Sequence, residues 1–153
     1  MANPLYGSNK FDARPGWLTN DGGLYDHGTL GDNLTLTIEV IMDYTASTCD
    51  PAAARNITTP TAALIVSGIK ARSGDGKCKV GDSFQFCFVN AGTAGADESC
   101  TIVAGTGVTL VGNVEVENAD TASDAISSGS GLFAVSVTNA TSSSEAVSVI
   151  RIA

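Results

Sequence analysis

From Val80 to Ile150 the chain carries neither Lys nor Arg, while the same stretch holds Asp82, Asp97, Glu98, Glu115, Glu117, Asp120, Asp124 and Glu145. Binding a nucleic-acid backbone depends on Lys and Arg displacing condensed counterions, so no nucleic-acid partner is expected. Histidine is almost missing too, with His27 the only one. No apolar run approaches the ~20 residues of a membrane-spanning helix, and the opening MANPLYGSNK lacks the basic and apolar regions of a secretory signal. No membrane partner is expected. None of the four cysteines, Cys49, Cys78, Cys87 and Cys100, is spaced CxxC. A structural zinc site is usually built from two such close pairs, so neither metal nor cofactor is expected. Charge itself is scarce, at 16% of the 153 residues, with a formal net charge of −8. A surface poor in charge and rich in Thr, Ser, Ala and Gly suits packing against neighbours, and its sign disfavours anionic partners.

What is present reads as one domain preceded by an arm. Hydrophobic residues make up 43% of the chain, enough for a modest core. Residues 1–33 follow neither the helical nor the strand period, because Gly7, Gly16, Gly22, Gly23, Gly28 and Gly31 interrupt every run. The same stretch nevertheless holds Tyr6, Phe11, Trp17 and Tyr25, four of the nine aromatics. Disordered tails are normally poor in aromatics. These four are therefore the candidate contacts of an extended N-terminal arm with a protein partner.

Residues 34–153 carry the strand signals. LTLTIEVIM alternates as a half-buried strand, and residues 43–56 read as a loop. TTPTAALIVSGI predicts one short helix, with Thr59 as cap, Pro60 in the first turn and Gly68 at the stop. GDSFQFCFVN places Phe84, Phe86 and Phe88 on one face, a core pattern. CTIVAG, GTGVTLVG, NVEVEN and LFAVSVTN follow as short strands, and EAVSVIRIA, apolar on both faces, predicts a buried central one. No strict internal repeat is visible. Short strands joined by Gly, Ser, Asn and Asp turns predict a mainly β fold: an antiparallel sandwich or barrel, jelly-roll-like, with one short helix and the arm. Cys87 and Cys100 lie on consecutive predicted strands and are the best candidates for a disulfide, although four cysteines allow three pairings.

Catalytic readings are thin. His27 sits in TNDGGLYDHG without a nucleophile motif such as GxSxG. Glu115 and Glu117 share a strand face at a spacing that glycosidases use, but only one aromatic, Phe133, follows Val89 to build a sugar platform. Asp21, Asp26 and Asp32 do not form a calcium-loop pattern, and AGTGVTLVG is a tight turn rather than a phosphate loop. No enzyme is expected. Lys70, Arg72, Lys77 and Lys79 gather half of the basic residues and are a candidate docking patch for an acidic surface, with a solvated loop tip as the plainer reading.

TAALIVSGI (61–69), GDSFQFCFVN (81–90), AGTGVTLVG (104–112) and AVSVTNATSSSEAVSVIRIA (134–153), with the opening MANPLYGSNKFD, resemble small virion proteins of marine and cyanobacterial tailed phages. That group is related to head-decoration and knob-like proteins. The resemblance implies a non-enzymatic sandwich on the outer capsid surface, made in the host cytoplasm, often as a homotrimer, whose partner is the major capsid protein. It implies no catalytic residues. The insert ARSGDGKCKVG and the long arm depart from the group's pattern and leave the position on the virion open. A fibre-tip or head-knob protein recognising a host receptor or glycan is the alternative, and a secreted adhesin-like sandwich is a third.

Overall fold

A computed structural model describes residues 22–92, 98–118 and 129–153, and they are mainly β, as the strand signals predict. The elements run β1 (Gly22–Leu30), β2 (Leu34–Thr35), α1 (Ile38–Asp43), β3 (Tyr44–Pro51), β4 (Arg55–Thr58), α2 (Ala62–Arg72), β5 (Ser83–Asn90), β6 (Cys100–Val103), β7 (Val108–Val111), β8 (Glu115–Val116), β9 (Ser130–Asn139) and β10 (Ala146–Arg151). Six strands form a large sheet in the order β1-β3-β5-β9-β10-β7, and four form a small sheet, β2-β4-β6-β8. One buried cluster joins the layers in a sandwich-like arrangement. Phe84, Phe88 and Val135 come from the large sheet, Ile57 and Ile102 from the small one, and Ile41 and Ile65 from the helices.

The pairing is mixed where a purely antiparallel sheet was expected. β1, β3 and β5 are parallel neighbours, as are β2, β4 and β6, and β7 runs parallel to β10. Only β5–β9, β9–β10 and β6–β8 are antiparallel. The cause is the path of the chain. After a strand in one sheet it crosses to the other, so it returns in its original direction.

That path is an internal repeat of backbone that the sequence does not advertise. A β–β–α unit (β1, β2, α1) is followed by a second (β3, β4, α2), and β5 with β6 begins a third. Local chemistry repeats with it. Thr37 caps α1 by accepting a hydrogen bond from Val40 N at 3.4 Å, and Thr61 caps α2 by accepting one from Leu64 N at 3.3 Å. Asn33-Leu34-Thr35 precedes the first cap as Asn56-Ile57-Thr58 precedes the second, and Leu34 pairs with Ile57.

Several expectations are corrected here. Residues 22–30, assigned to the arm, form a nine-residue edge strand on β3, so a boundary at residue 33 cuts through the sheet. LTLTIEVIM is a two-residue strand followed by a capped helix, because Val40, Ile41 and Met42 all find buried sites on one short helix. The described residues therefore hold two helices instead of one. The expected loop 43–56 contains β3 and the start of β4. Thr59 is not the helix cap; it is buried, and its Oγ1 accepts a hydrogen bond from Gly105 N at 2.9 Å. Gly68 does not end α2 but lies inside it, where an added Cβ would collide with Ile38 of α1. α2 continues to Arg72, whose guanidinium grips Asp43 at the end of α1 with bonds of 2.8 and 2.6 Å.

The predicted core strand is observed. Phe84, Phe86 and Phe88 are buried, and the Phe86 ring stacks on Phe133, its register partner across β9, at 5.2 Å. β10 is interior to the sheet order, but only Val147 and Val149 are buried while Ile150 is exposed. The expectation of burial on both faces fails because the sandwich covers one side of the large sheet.

Candidate interaction surface

Strand alternation that sends the phenylalanines inward sends their neighbours outward. On β5 these are Ser83, Gln85, Cys87 and Val89, all half-buried. The register extends this face sideways in rows. Ser83 pairs with Ser136, Ser136 with Ser148 and Ser148 with Thr109. In the next row Gln85, Ala134, Ile150 and Val111 stand side by side. Cys87 has Leu132 on one flank and Ala46 on the other. Val89 lies between Ser130 and Thr48. None of these side chains is charged.

A five-strand face with two to four short outward side chains per strand covers roughly 20 by 20 Å, about 400 Å². Ile150 and Val111 are exposed at its far margin, 37% and 46%. On the near margin β1 adds Leu24, 60% exposed, beside Ala46, and Asp26 beside Thr48. Asp50, two residues beyond Thr48 on β3, adds a second carboxylate to this margin, so the uncharged part of the face is its centre and far side. That part gives a ligand nothing to coordinate, but it can pack against another protein surface with little desolvation cost, because the charge that would have to be stripped of water is absent.

The arm residues divide. Tyr6, Phe11 and Trp17 lie outside the described residues. Tyr25 is on β1, 36% exposed, with its ring edge-on to His27 at 4.8 Å and Tyr44 at 5.0 Å. It is partly engaged by its own sheet. The basic cluster is less available than its sequence suggests. Arg72 is held by Asp43 and by the Gly68 carbonyl. Lys77 and Lys79 are exposed, but the turn carrying them also carries Asp75 and Asp82, whose carboxylates accept hydrogen bonds from the backbone N–H groups of Lys77 and Lys79. Acids thus sit among the lysines.

The candidate Cys87–Cys100 disulfide does not fit this geometry. Cys87 points out of the sandwich and Cys100, fully buried on the small sheet, points into it. Consecutive strands lie in different sheets, a placement sequence order does not reveal. All four cysteines are free thiols, and the Cys100 sulfur lies 3.7 Å from that of Cys49.

His27 has its Nε2 buried and unpartnered. Burial depresses its pKa, partly offset by the neighbouring Asp26 charge. No group of three or more His, Cys, Asp or Glu able to hold a metal occurs among the described residues. Glu115 and Glu117 flank the buried Val116 at the edge of the small sheet.

The His27 environment fixes the sign of a pH effect. The unfolded chain takes up a proton near pH 6.5, whereas the folded chain resists it. Stability is then undiminished above that pH and falls as the pH drops below it. Replacing His27 by Gln should shrink the loss of Tm between about pH 7.5 and 5.5. An equal loss in wild type and variant would show that His27 does not set the slope.

Comparison of the chain with family models, with curated proteins and with solved structures finds no match.

Proposed function

We propose that this chain is a capsid decoration protein of a tailed phage, bound to the outside of the head. The observation that carries the reading is the uncharged outer face of β5, β9, β10 and β7 in a chain whose net charge is −8, with carboxylates, Asp26 and Asp50, only on the β1–β3 side of the sheet. An acidic exterior keeps the particle soluble, and the charge-free part of one face is left for protein contact. The sequence resemblance to virion proteins supports the same assignment. At about 400 Å², the face is half of what one partner contributes to a standard interface. A single copy would hold weakly. A homotrimer engaging the major capsid protein at three points gains by effective concentration what each foothold lacks.

The mechanism is then cement by area. Each copy bridges neighbouring capsid subunits and adds buried apolar surface, at ~25 cal/mol per Å² gross, to a shell under internal pressure. Residues 1–21, with Tyr6, Phe11 and Trp17, supply further contacts under this reading.

The test is co-sedimentation of the purified protein with phage heads lacking it. Wild-type protein should pellet with heads, and an Ala134→Asp/Ile150→Asp variant of unchanged circular dichroism should stay in the supernatant. Removing residues 1–21, which spares every described element, should weaken pelleting. Equal pelleting of the wild type and the charged-face variant would refute the surface assignment. Binding to host cells or to a glycan array with no affinity for heads would replace decoration by host recognition.

A further inference from the structure

We propose that Cys49 and Cys100 form a disulfide that ties the large sheet to the small one once the chain leaves a reducing compartment. Cys49 lies on β3 and Cys100 on β6, so the bond would join the two layers directly. Both side chains are fully buried, and their sulfur atoms are in contact at 3.7 Å. Their register partners are already fastened across the layers: Asn90, opposite Cys49 on β5, donates its Nδ2 to the carbonyl of Val116, opposite Cys100 on β8, at 2.9 Å. The other two thiols are placed elsewhere. Cys87 faces outward from β5, and Cys78 lies in the turn after α2. The fold thus selects this one bond among the possible cysteine pairs, a choice sequence alone leaves open. It does not depend on what the outer face binds.

The chemistry balances with a small-molecule disulfide such as oxidised glutathione as electron acceptor. The thiolate of one cysteine attacks a glutathione sulfur, breaking its S–S bond and expelling one glutathione thiolate. The second cysteine then attacks the protein sulfur of the mixed disulfide, forming the Cys49–Cys100 bond and expelling the other. Two protein thiols lose two electrons and two protons, and one glutathione disulfide becomes two glutathione thiols. The hydrogen bond with the Cys100 thiol, and after it burial, raises the Cys49 pKa, which keeps the closed protein slow to react. The exchange accordingly proceeds while the chain folds or when the layers part.

The experiment refolds the full chain in a glutathione buffer dominated by the oxidised form, blocks free thiols with N-ethylmaleimide, and maps the peptides by mass spectrometry without reduction. The expected product has one Cys49–Cys100 cross-link, with Cys78 and Cys87 alkylated. Its Tm should exceed that of the dithiothreitol-treated protein by about 5–10 °C. A Cys87→Ala variant should keep that difference and a Cys100→Ala variant should lose it. Alkylation of all four cysteines, or a cross-link between any other pair, overturns the proposal. The mapping uses wild-type protein, so it decides even where a variant fails to fold.

Discussion

A single methyl group at residue 105 is expected to destabilise the fold by about 3 kcal/mol or more, a class of effect seen where added atoms meet backbone that cannot yield. Gly105 lies against the start of α2, and a Cβ there would stand 2.6 Å from the Thr59 carbonyl oxygen and 2.7 Å from that of Pro60. Both obstacles are main chain, so no side-chain rotation relieves them. The loop would have to retreat, and its bonds would go with it. Gly105 N donates to Thr59 Oγ1 at 2.9 Å, and Thr106 O accepts from Ala62 N, one of the orphan donors in the first turn of α2, also at 2.9 Å. A Gly105→Ala variant should lose roughly 6–12 °C in Tm. Gly31→Ala is the control, since nothing lies within 4 Å of a Cβ at that position. A Gly105→Ala Tm equal to the control's would show that this loop does not brace the helix.

The second large effect is expected at Asn90. This residue is 3% exposed, yet polar, and its bonds brace its surroundings. Its Nδ2 donates to the Glu98 carbonyl at 2.6 Å and to the Val116 carbonyl at 2.9 Å, while its Oδ1 accepts from Gly92 N at 3.0 Å. Asn90 ends β5 in the large sheet, and Val116 belongs to β8 in the small one. Asn90→Ala leaves two carbonyls and an amide without their partner in a dry site. With each unsatisfied group costing ~1–3 kcal/mol and some relaxation, a total of about 3–4 kcal/mol is expected. Urea unfolding should show a lower midpoint with little change in slope. Asn113→Ala, which removes one exposed turn bond to Glu115 N, should cost much less. Similar midpoints for the two variants would refute the bracing role.

The parts of this fold visible in the sequence are those in which one physical signal acts alone. Phe84, Phe86 and Phe88 alternate with polar neighbours, so the strand and its inward face follow directly. β1 gives no such signal. As an edge strand with most side chains exposed, it owes its form to backbone pairing with β3 and tolerates Gly23 and Gly28. β3 is hidden for a different reason. Polar Ser47 is buried on its inward face and polar Thr48 on its outward face, so neither face reads as an apolar alternation. In LTLTIEVIM two periods fit the same letters, and the Thr37 cap decides for the helix. The uncharged face could be read only in part. The missing Lys and Arg between Val80 and Ile150 announce a shortage of positive charge, but which acids leave the face is fixed by register. The contact of Cys49 with Cys100 is a tertiary fact, set by two strands in different layers.

The alternation between layers has a kinetic consequence. From β1 to β9 every successive strand lands in the opposite sheet, so neither sheet can be completed as a run of local hairpins. Most strand partners are separated by a whole intervening strand or more, and loop closure must be accomplished before those pairings stabilise anything. Acquisition of the native state should therefore be slow for a chain of this size and nearly all-or-none. Once assembled, the layers cannot peel apart strand by strand, so unfolding should be slow as well as folding.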